Sequence, residues 1–168
     1  GNTDRVTVDA TWKDLGVPYE ITNRFYTAAA LTLEAGVTLE FGQDHTFIVE
    51  EMGSLTANGT MTDPVTFLGV NAVDTGYWGG IRFQTNDPAN ALTYTNFAHT
   101  GSTMWTGDGE SSAAIYLDGG ASVSLTDVEL GPGGGYGVFL EADTSALTCS
   151  MVTFTDLGSG AIWDDDAD

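Results

Sequence analysis

The sequence predicts an all-β fold, a β-solenoid in which each turn holds three short strands. A pattern of alternating residues is written twice between Ala114 and Trp163, and a third round begins at Ala161. Equivalent positions such as Ile115, Val138 and Ile162 lie 23 and 24 residues apart, so each strand falls over its counterpart one period earlier. Gly at 22 of 168 residues, with many β-branched residues and few runs of helix formers, favours short strands and tight turns over helices.

The order of elements predicts one domain over residues 1–168. Residues 1–29 do not follow the later register and are expected to form an N-terminal cap and a first irregular coil, with Trp12 and Tyr19 folded over the open end. Residues 30–168 are expected to form about five coils at the usual interstrand spacing. The second and third strands start five residues apart in the last three coils, as in Leu92 to Phe97, which predicts a tight corner between them.

Alternation across a strand predicts two inward columns of apolar residues, one for each of the first two strands of a coil. Cys149 belongs to the second column, so its thiol is expected to be buried. The first column is Phe47/Val49, Ile81/Phe83, Ile115/Leu117, Val138/Leu140 and Ile162. The second column is Leu31/Leu33, Leu55/Ala57, Leu92/Tyr94, Val123/Leu125 and Leu147/Cys149.

The charge balance excludes several classes of partner. Four basic residues face 24 acidic ones, and the formal net charge of −20 repels phosphate backbones and anionic membranes. Nucleic acid is therefore not an expected partner. The sequence also has no apolar run of 18 residues, so membrane insertion is not expected. Strong acidity suits salty or calcium-bearing water, where cations screen the self-repulsion, although simple solubility explains it equally well.

A group of motifs resembles the start of bacterial secreted right-handed parallel β-helix repeat proteins of the pectate-lyase-like superfamily. The motifs are Thr11-Trp12, Val17-Pro18-Tyr19, the run from Leu31 to Gly42, the run from Gly53 to Thr60, Asp63 to Phe67, and Trp78 to Phe83. The resemblance implies a right-handed, three-sided parallel β-helix and a location outside the cell or on its surface. Because that fold hosts lyases, hydrolases, adhesins and structural rods, the resemblance does not choose a function.

No catalytic constellation emerges from the sequence. A lyase that resembles this family needs a Ca²⁺ cage of carboxylates beside an Arg or Lys, and Arg82 is the one such cation on a strand face. Its outward neighbours are Ile48 and Tyr116, which are not carboxylates. A hydrolase needs clustered Asp residues near His or Lys, whereas His45 and His99 fall on different coils. We therefore expect no catalytic residue; a polysaccharide lyase or hydrolase is the less favoured alternative.

The metal prediction is restricted to weak Ca²⁺ binding. The acidic C-terminal residues Asp164, Asp165, Asp166 and Asp168 are the candidates, and Asp108-Gly109-Glu110 is the other dense acidic stretch. Neither matches the EF-hand spacing. No cofactor is expected. Asn58-Gly59-Thr60 matches a glycosylation sequon, but it falls where a turn is required, and the turn is the favoured interpretation.

Two outward rows carry the functional hypotheses. The first row begins at Arg82 and continues through the aromatic residues Tyr116, Phe139 and Trp163. The carboxylates Asp118 and Glu141 lie in the row beside it. Exposed, these rings and carboxylates would suit polysaccharide or an adhesion partner; the loop from His99 to Ser112 could equally cover them. A row of Thr32, Thr56, Thr93, Ser124 and Thr148 resembles an ice-binding face, although outward Thr is also the ordinary residue of a solvated strand.

The favoured function is a non-catalytic structural β-helix protein outside the cell. The repeat stops one strand into a new coil at Trp163, and an uncovered strand edge is a template for another chain. We therefore expect head-to-tail self-assembly into a filament or longer rod, opposed by the net charge until salt or Ca²⁺ screens it. A blunt or cut end is the competing interpretation, and a carbohydrate-binding module is the alternative function.

Overall fold

All the strands of the described residues pair in parallel, and one isolated antiparallel bridge joins Met104 to Ser112. The computed structural model describes residues 4–71, 73–106, 111–142 and 144–165, and these ranges contain seventeen strands and no helix. The strands are β1 Asp4–Val6, β2 Ala10–Trp12, β3 Tyr19–Ile21, β4 Phe25–Thr27, β5 Ala30–Leu33, β6 Thr38–Phe41, β7 Thr46–Val49, β8 Ser54–Asn58, β9 Val65–Gly69, β10 Gly80–Phe83, β11 Ala91–Phe97, β12 Ala113–Leu117, β13 Ser122–Leu130, β14 Tyr136–Leu140, β15 Ala146–Ser150, β16 Thr153–Phe154 and β17 Gly160–Asp164. The prediction of an all-β fold without helix is confirmed for these residues.

The chain passes alternately through two sheets. Sheet A has the order β1-β4-β7-β10-β12-β14-β17. Sheet B has two arms, β2-β5-β8 and β3-β6-β9, which meet at the long strand β11; β11 then pairs with β13, and β13 pairs with both β15 and β16. Every strand of sheet A except the last, β17, is thus followed along the chain by one or two strands of sheet B.

The register of sheet A agrees with the predicted columns. Ile81 pairs with Phe47 on one side and with Ile115 on the other, and Val138 pairs with Ile115 and Ile162. Buried and half-exposed residues alternate in β10, as they must when one face of a strand is packed and the other is not.

In sheet B the predicted register is wrong by two residues at β11. Leu92 pairs with Ala57 and Leu125, not with Leu55 and Val123, and Phe97 pairs with Leu130. The reason lies at the corner: Tyr94 has φ 42°, and its counterparts Asp127 and Met151 both have φ 53°. A left-handed residue breaks the alternation, so Tyr94 turns the corner instead of pointing inward.

Two consequences of this shift concern side chains. The buried Asn90 takes the inner position beside Leu55. Its Oδ1 accepts a hydrogen bond from the Leu55 amide at 3.0 Å. Ala91, rather than Thr93, pairs with Thr56 and Ser124. The outward row of hydroxyl residues that would make an ice-binding face is therefore interrupted at its centre.

The N-terminal strands differ from the irregular cap that was expected. β1 pairs with β4 and β4 with β7, while β2 pairs with β5 and β3 with β6, all parallel and in the common register. Trp12 and Tyr19 stack at 4.6 Å between ring centroids, and Trp12 also lies 5.5 Å from Phe25. The short strands escape detection because β1 and β2 hold only three residues each, too few to display a period.

One continuous apolar core fills the space between the sheets. It runs from Ile21 to Leu140, and most of its members are completely buried. Val6, Trp12 and Tyr19 lie half-buried against one end of this core, and Leu147, Val152 and Phe154 lie half-buried against the other. The core thus ends in a partly exposed apolar layer at each end.

Cys149 corrects another expectation, because its side chain is exposed and not buried. It does follow Leu125 in the inner column, as predicted. Within the described residues, however, β15 pairs only with β13, so no further layer covers its inner face. Partial burial still raises the pKa of the thiol.

The described residues contain no helix of the length and apolar character needed to cross a membrane.

Candidate functional site

The outward face of sheet A brings the predicted site residues into two adjacent rows. The first row follows the strand pairing from Ile48 to Trp163 and consists of Ile48, Arg82, Tyr116, Phe139 and Trp163. The second row lies just beyond the strand ends, where each backbone N–H donates to the preceding strand, and consists of Glu50, Gln84, Asp118, Glu141 and Asp165. Because the strands are parallel and in register, residues far apart in sequence become neighbours.

Arg82 and Asp118 form a two-pronged ion pair between the rows. Arg82 Nε donates to Asp118 Oδ1 at 2.6 Å, and Arg82 Nη2 donates to Oδ2 at 2.9 Å. Gln84 Nε2 also donates to Oδ2, at 3.1 Å. The side chains retain only 27% and 17% of their exposure, so the pair is shielded from solvent more than a surface salt bridge is.

The guanidinium of Arg82 also packs on aromatic rings. Its Cζ lies 5.4 Å from the centroid of Tyr116 and 6.0 Å from that of Trp105. Burial alone would lower the pKa of Arg82, but the hydrogen bond and the charge of Asp118 outweigh it, so the pKa is raised. Arg82 is thus a permanently charged side chain that is held by the Asp118 carboxylate and by the rings of Tyr116 and Trp105.

The aromatic row is covered rather than exposed. Tyr116 is fully buried and Phe139 is 5% exposed, and their rings stack at 5.2 Å. Trp105, from the loop between β11 and β12, lies 5.9 Å from Tyr116, and Tyr136 lies 6.2 Å from Phe139. Of the two sequence alternatives, the covering loop is the one that the structure shows. Trp163, half-buried at the end of the row, stacks on Phe139 at 6.3 Å.

Two polar atoms of this cluster, Tyr116 Oη and Trp105 Nε1, make no hydrogen bond of good geometry in the part of the chain described, although the Glu141 carboxylate lies close enough to Tyr116 Oη to interact with it. Burial, and then the Glu141 carboxylate, raise the pKa of Tyr116 above its ordinary value. Glu141 Oε2 itself accepts a hydrogen bond from the Gly119 amide at 3.1 Å. The tyrosine is therefore held neutral and is unsuited to act as a base at neutral pH.

The acidic C-terminal candidates are only partly described. Asp164 and Asp165 are exposed, and Trp163 Nε1 donates to Asp165 Oδ1 at 3.4 Å. Asp166 and Asp168 lie outside the described residues, as do Asp108, Gly109 and Glu110. Among residues 4–71, 73–106, 111–142 and 144–165, no group of three His, Cys, Asp or Glu side chains is placed to hold a metal ion.

The side chains considered for catalysis are either engaged or far apart. Arg82, the candidate base, donates hydrogen bonds from Nε and Nη2 to Asp118. His99 is buried, with Nδ1 unpartnered among the described residues, and His45 precedes β7, so the two lie on different passes of the chain.

An open depression of about 300 Å³ lies beside Arg5, Glu50 and Gln84 and is also lined by Ala28, Glu51 and Met52.

Sequence reasoning missed Trp105 and Tyr136 as parts of this face. Trp105 lies outside the three-strand pattern, and only the path of its loop brings its ring onto Tyr116. Tyr136 is the first residue of β14, and its ring packs edge-on against Phe139.

No protein-family model, no curated protein and no solved structure matches this chain.

Proposed function

We propose that the chain is a right-handed, three-sided parallel β-helix that serves as a non-catalytic structural rod outside the cell or on its surface, and that copies join end to end. The alternating order of the two parallel sheets supports the β-helix. The location outside the cell rests on the motif resemblance to secreted bacterial β-helix proteins, and the acidity suits cation-rich water.

The observation that carries the proposal is that both sheets finish at the same two ends. One end consists of β1, β2 and β3; at the other, β17 of sheet A lies one layer beyond β15 and β16 of sheet B. Within the described residues each of these strands has one free backbone edge, and the apolar layer beneath it is half-exposed. A free parallel edge above an apolar layer is a surface that another strand layer can continue.

The ends also differ in charge. Residues 4–24 hold three of the four cationic residues of the chain, Arg5, Lys13 and Arg24, against four carboxylates. Residues 144–165 hold three carboxylates, Asp156, Asp164 and Asp165, and no cation. The two ends thus carry net charges of −1 and −3, so each repels another copy until cations screen it, and the head-to-tail direction rests on the parallel strands, which only a copy in the same orientation continues.

Sedimentation velocity and negative-stain microscopy, over a series of NaCl and CaCl₂ concentrations, test the assembly. We expect monomers at low ionic strength and linear particles as the cations screen the net charge of −20. Particles that remain monomeric at millimolar protein under every condition would refute the assembly. Detectable cleavage of pectin or alginate that Arg82→Ala abolishes would refute the non-catalytic role.

Polysaccharide binding on the aromatic row is the weaker candidate. Sugar stacking needs an open ring face, and Tyr116 and Phe139 are buried beneath Trp105 and Tyr136. A glycan array, repeated with Trp163→Ala, separates this function from assembly, because the rod alone has no reason to retain a glycan.

A further inference from the structure

An open groove of about 310 Å³ runs along the corner between the two arms of sheet B. One side is the column of left-handed residues at this corner, Tyr94, Asp127 and Met151, which lie over one another because β11, β13 and β15 pair in parallel. From Met61, in the loop between β8 and β9, to Met151 the groove crosses three interlayer steps, so it is about 14 Å long at about 4.8 Å per step. The other residues that line it are Asn96, Val128, Glu129 and Thr153.

Within the described residues, the two carboxylates of the groove have no cationic partner. Asp127 and Glu129 both belong to β13, and Glu129 is exposed. Neither takes part in an ion pair or a side-chain hydrogen bond in the part of the chain that the structure describes, where the ion pairs are Arg5–Glu50, Lys13–Glu34 and Arg82–Asp118. Two negative charges are therefore available to a cation from outside the chain.

Two thioethers and one aromatic ring border these carboxylates. Met61 and Met151 are 81% and 71% exposed, and Tyr94 is half-buried. Methionine is usually a buried residue, yet Met52 and Met104 are also exposed, so the core of this chain uses none of its four methionines. In the groove the thioethers offer apolar, adaptable surface to methylene groups, and the face of the tyrosine ring attracts an ammonium group.

We propose that this groove binds a linear aliphatic polyamine, a chain of ammonium groups joined by methylene segments. The ammonium groups pair with Asp127 and Glu129 and lie against the ring of Tyr94. The methylene segments lie against the thioethers of Met61 and Met151, at the two ends of the groove. The site is separate from the proposed end-to-end contact and does not depend on it.

The dimensions and the donor set favour a polyamine over a metal ion. The groove volume of about 310 Å³ is at the small end of the range for ligand sites, roughly 300–1,000 Å³, and its length suits an extended ligand. Ca²⁺ requires about six to eight oxygen ligands. Over the described ranges, no third His, Cys, Asp or Glu joins the two carboxylates to form a metal-binding group.

The ε-methyl groups of the four methionines report on binding at each residue. Protein labelled with ¹³C at these methyl groups is titrated with spermidine in about 0.15 M NaCl, which weakens diffuse attraction to the net charge, at a concentration where sedimentation shows monomers. We expect the signals of Met61 and Met151 to shift along one saturable curve. Those of Met52 and Met104, which do not line the groove, should shift at most a quarter as far. CaCl₂ at equal concentration should not reproduce the shifts.

Charge variants test the two carboxylates, with Kd measured by titration calorimetry. Asp127→Asn with Glu129→Gln should raise the Kd for spermidine at least tenfold, because both ion pairs are lost. Glu20→Gln with Glu40→Gln is the matched control. These two carboxylates are direct neighbours on β3 and β6 and give the same change in net charge, but they lie outside the groove, so the Kd should change less than threefold.

A further variant tests the apolar contacts. Met61→Ala with Met151→Ala should raise the Kd for spermidine about threefold to tenfold, because the methylene segments lose their apolar surface. Met52→Ala with Met104→Ala removes the same number of exposed thioethers outside the groove and should leave the Kd unchanged.

Each contrary outcome overturns the site. Shifts of all four methyl signals together, no shift at all, or an equal loss of affinity in the two charge variants would show only diffuse attraction to the net charge of −20. Equal shifts with CaCl₂ would assign the groove to a divalent cation. Tighter binding of a trilysine peptide than of spermidine would assign it to a basic protein segment. None of these outcomes affects the end-to-end assembly, which sedimentation tests separately.

Discussion

Arg82 and Asp118 lie 36 residues apart in the chain and form a two-pronged ion pair across the neighbouring strands β10 and β12, with Nε and Oδ1 separated by 2.6 Å. The pair is possible because Arg82 stands beside Tyr116 in the parallel register, and Asp118 follows two residues later at the strand end. The parallel register thus brings two distant charged residues of the repeat into contact, beside the rings of Tyr116 and Trp105.

Arg82→Ala is expected to destabilise the protein by about 1–3 kcal/mol, because it leaves the shielded Asp118 carboxylate with only Gln84 and removes the cation from two rings. Lys13→Ala is the matched control, since the Lys13–Glu34 pair is 3.8 Å long and exposed. It should change stability by less than about 0.5 kcal/mol. Urea unfolding at constant m-value measures both; equal effects would mean that shielding adds nothing to the Arg82 pair.

Tyr116→Phe should change stability only slightly at neutral pH, because the lost hydroxyl makes no hydrogen bond of good geometry among the described residues and only a weak contact with the Glu141 carboxylate. In the wild type the raised pKa of Tyr116 favours the neutral folded form. The stabilisation of the folded state by the neutral phenol is therefore complete below about pH 10, the pKa of a tyrosine in the unfolded chain. It is lost as the pH rises above that value.

Urea unfolding between pH 8 and 11 tests this linkage. The stability of Tyr116→Phe should fall less steeply with pH than that of the wild type, because the variant lacks the buried phenol. A steeper fall in Tyr116→Phe than in the wild type would show that the buried phenol is not held neutral.

Gly80→Ala and Gly120→Ala separate steric collision from backbone strain. Both glycines have positive φ, 97° and 85°. A Cβ at Gly80 would collide with the backbone carbonyls of Ala113 and Ala114 on the next strand, whereas at Gly120 the nearest atom is Thr144 Oγ1 at 3.9 Å. We expect a loss of about 1–2 kcal/mol at Gly120 from the left-handed backbone alone and more than about 3 kcal/mol at Gly80. Similar unfolding midpoints for the two variants would contradict the close approach of β10 and β12.

Asn90→Ala should be among the most damaging polar-to-alanine changes. The buried Asn90 side chain accepts from the Leu55 amide and donates to the carbonyls of Thr85 and Ser122, so it joins three passes of the chain. Its loss leaves the Leu55 amide without this acceptor, although the Thr85 carbonyl keeps the Ser122 amide as a donor, and should cost about 1–3 kcal/mol. Asn58→Ala, at an exposed position of the adjoining strand β8, should cost less than about 1 kcal/mol. Thermal unfolding compares the stabilities of the two variants. A loss of stability in Asn58→Ala as large as that in Asn90→Ala would contradict the structural role assigned to the Asn90 hydrogen bonds.

The sequence by itself determined the strand class, the parallel pairing of sheet A and the rows of its outward face. These features follow from a repeat of 23 or 24 residues and from alternation, which are local properties of the chain. The repeat and the alternation together placed Arg82, Tyr116, Phe139 and Trp163 in one row, and Asp118 and Glu141 in the next.

Only the tertiary structure decided which of these residues are accessible and how the corners are made. Tyr94 follows the apolar alternation but adopts a left-handed conformation at a corner, which shifts the register of β11 by two residues. Trp105 covers Tyr116 because of a loop path that no period encodes. Cys149 keeps its inner position yet is exposed, because burial depends on the layer above a residue and alternation specifies only the side of the strand on which it lies.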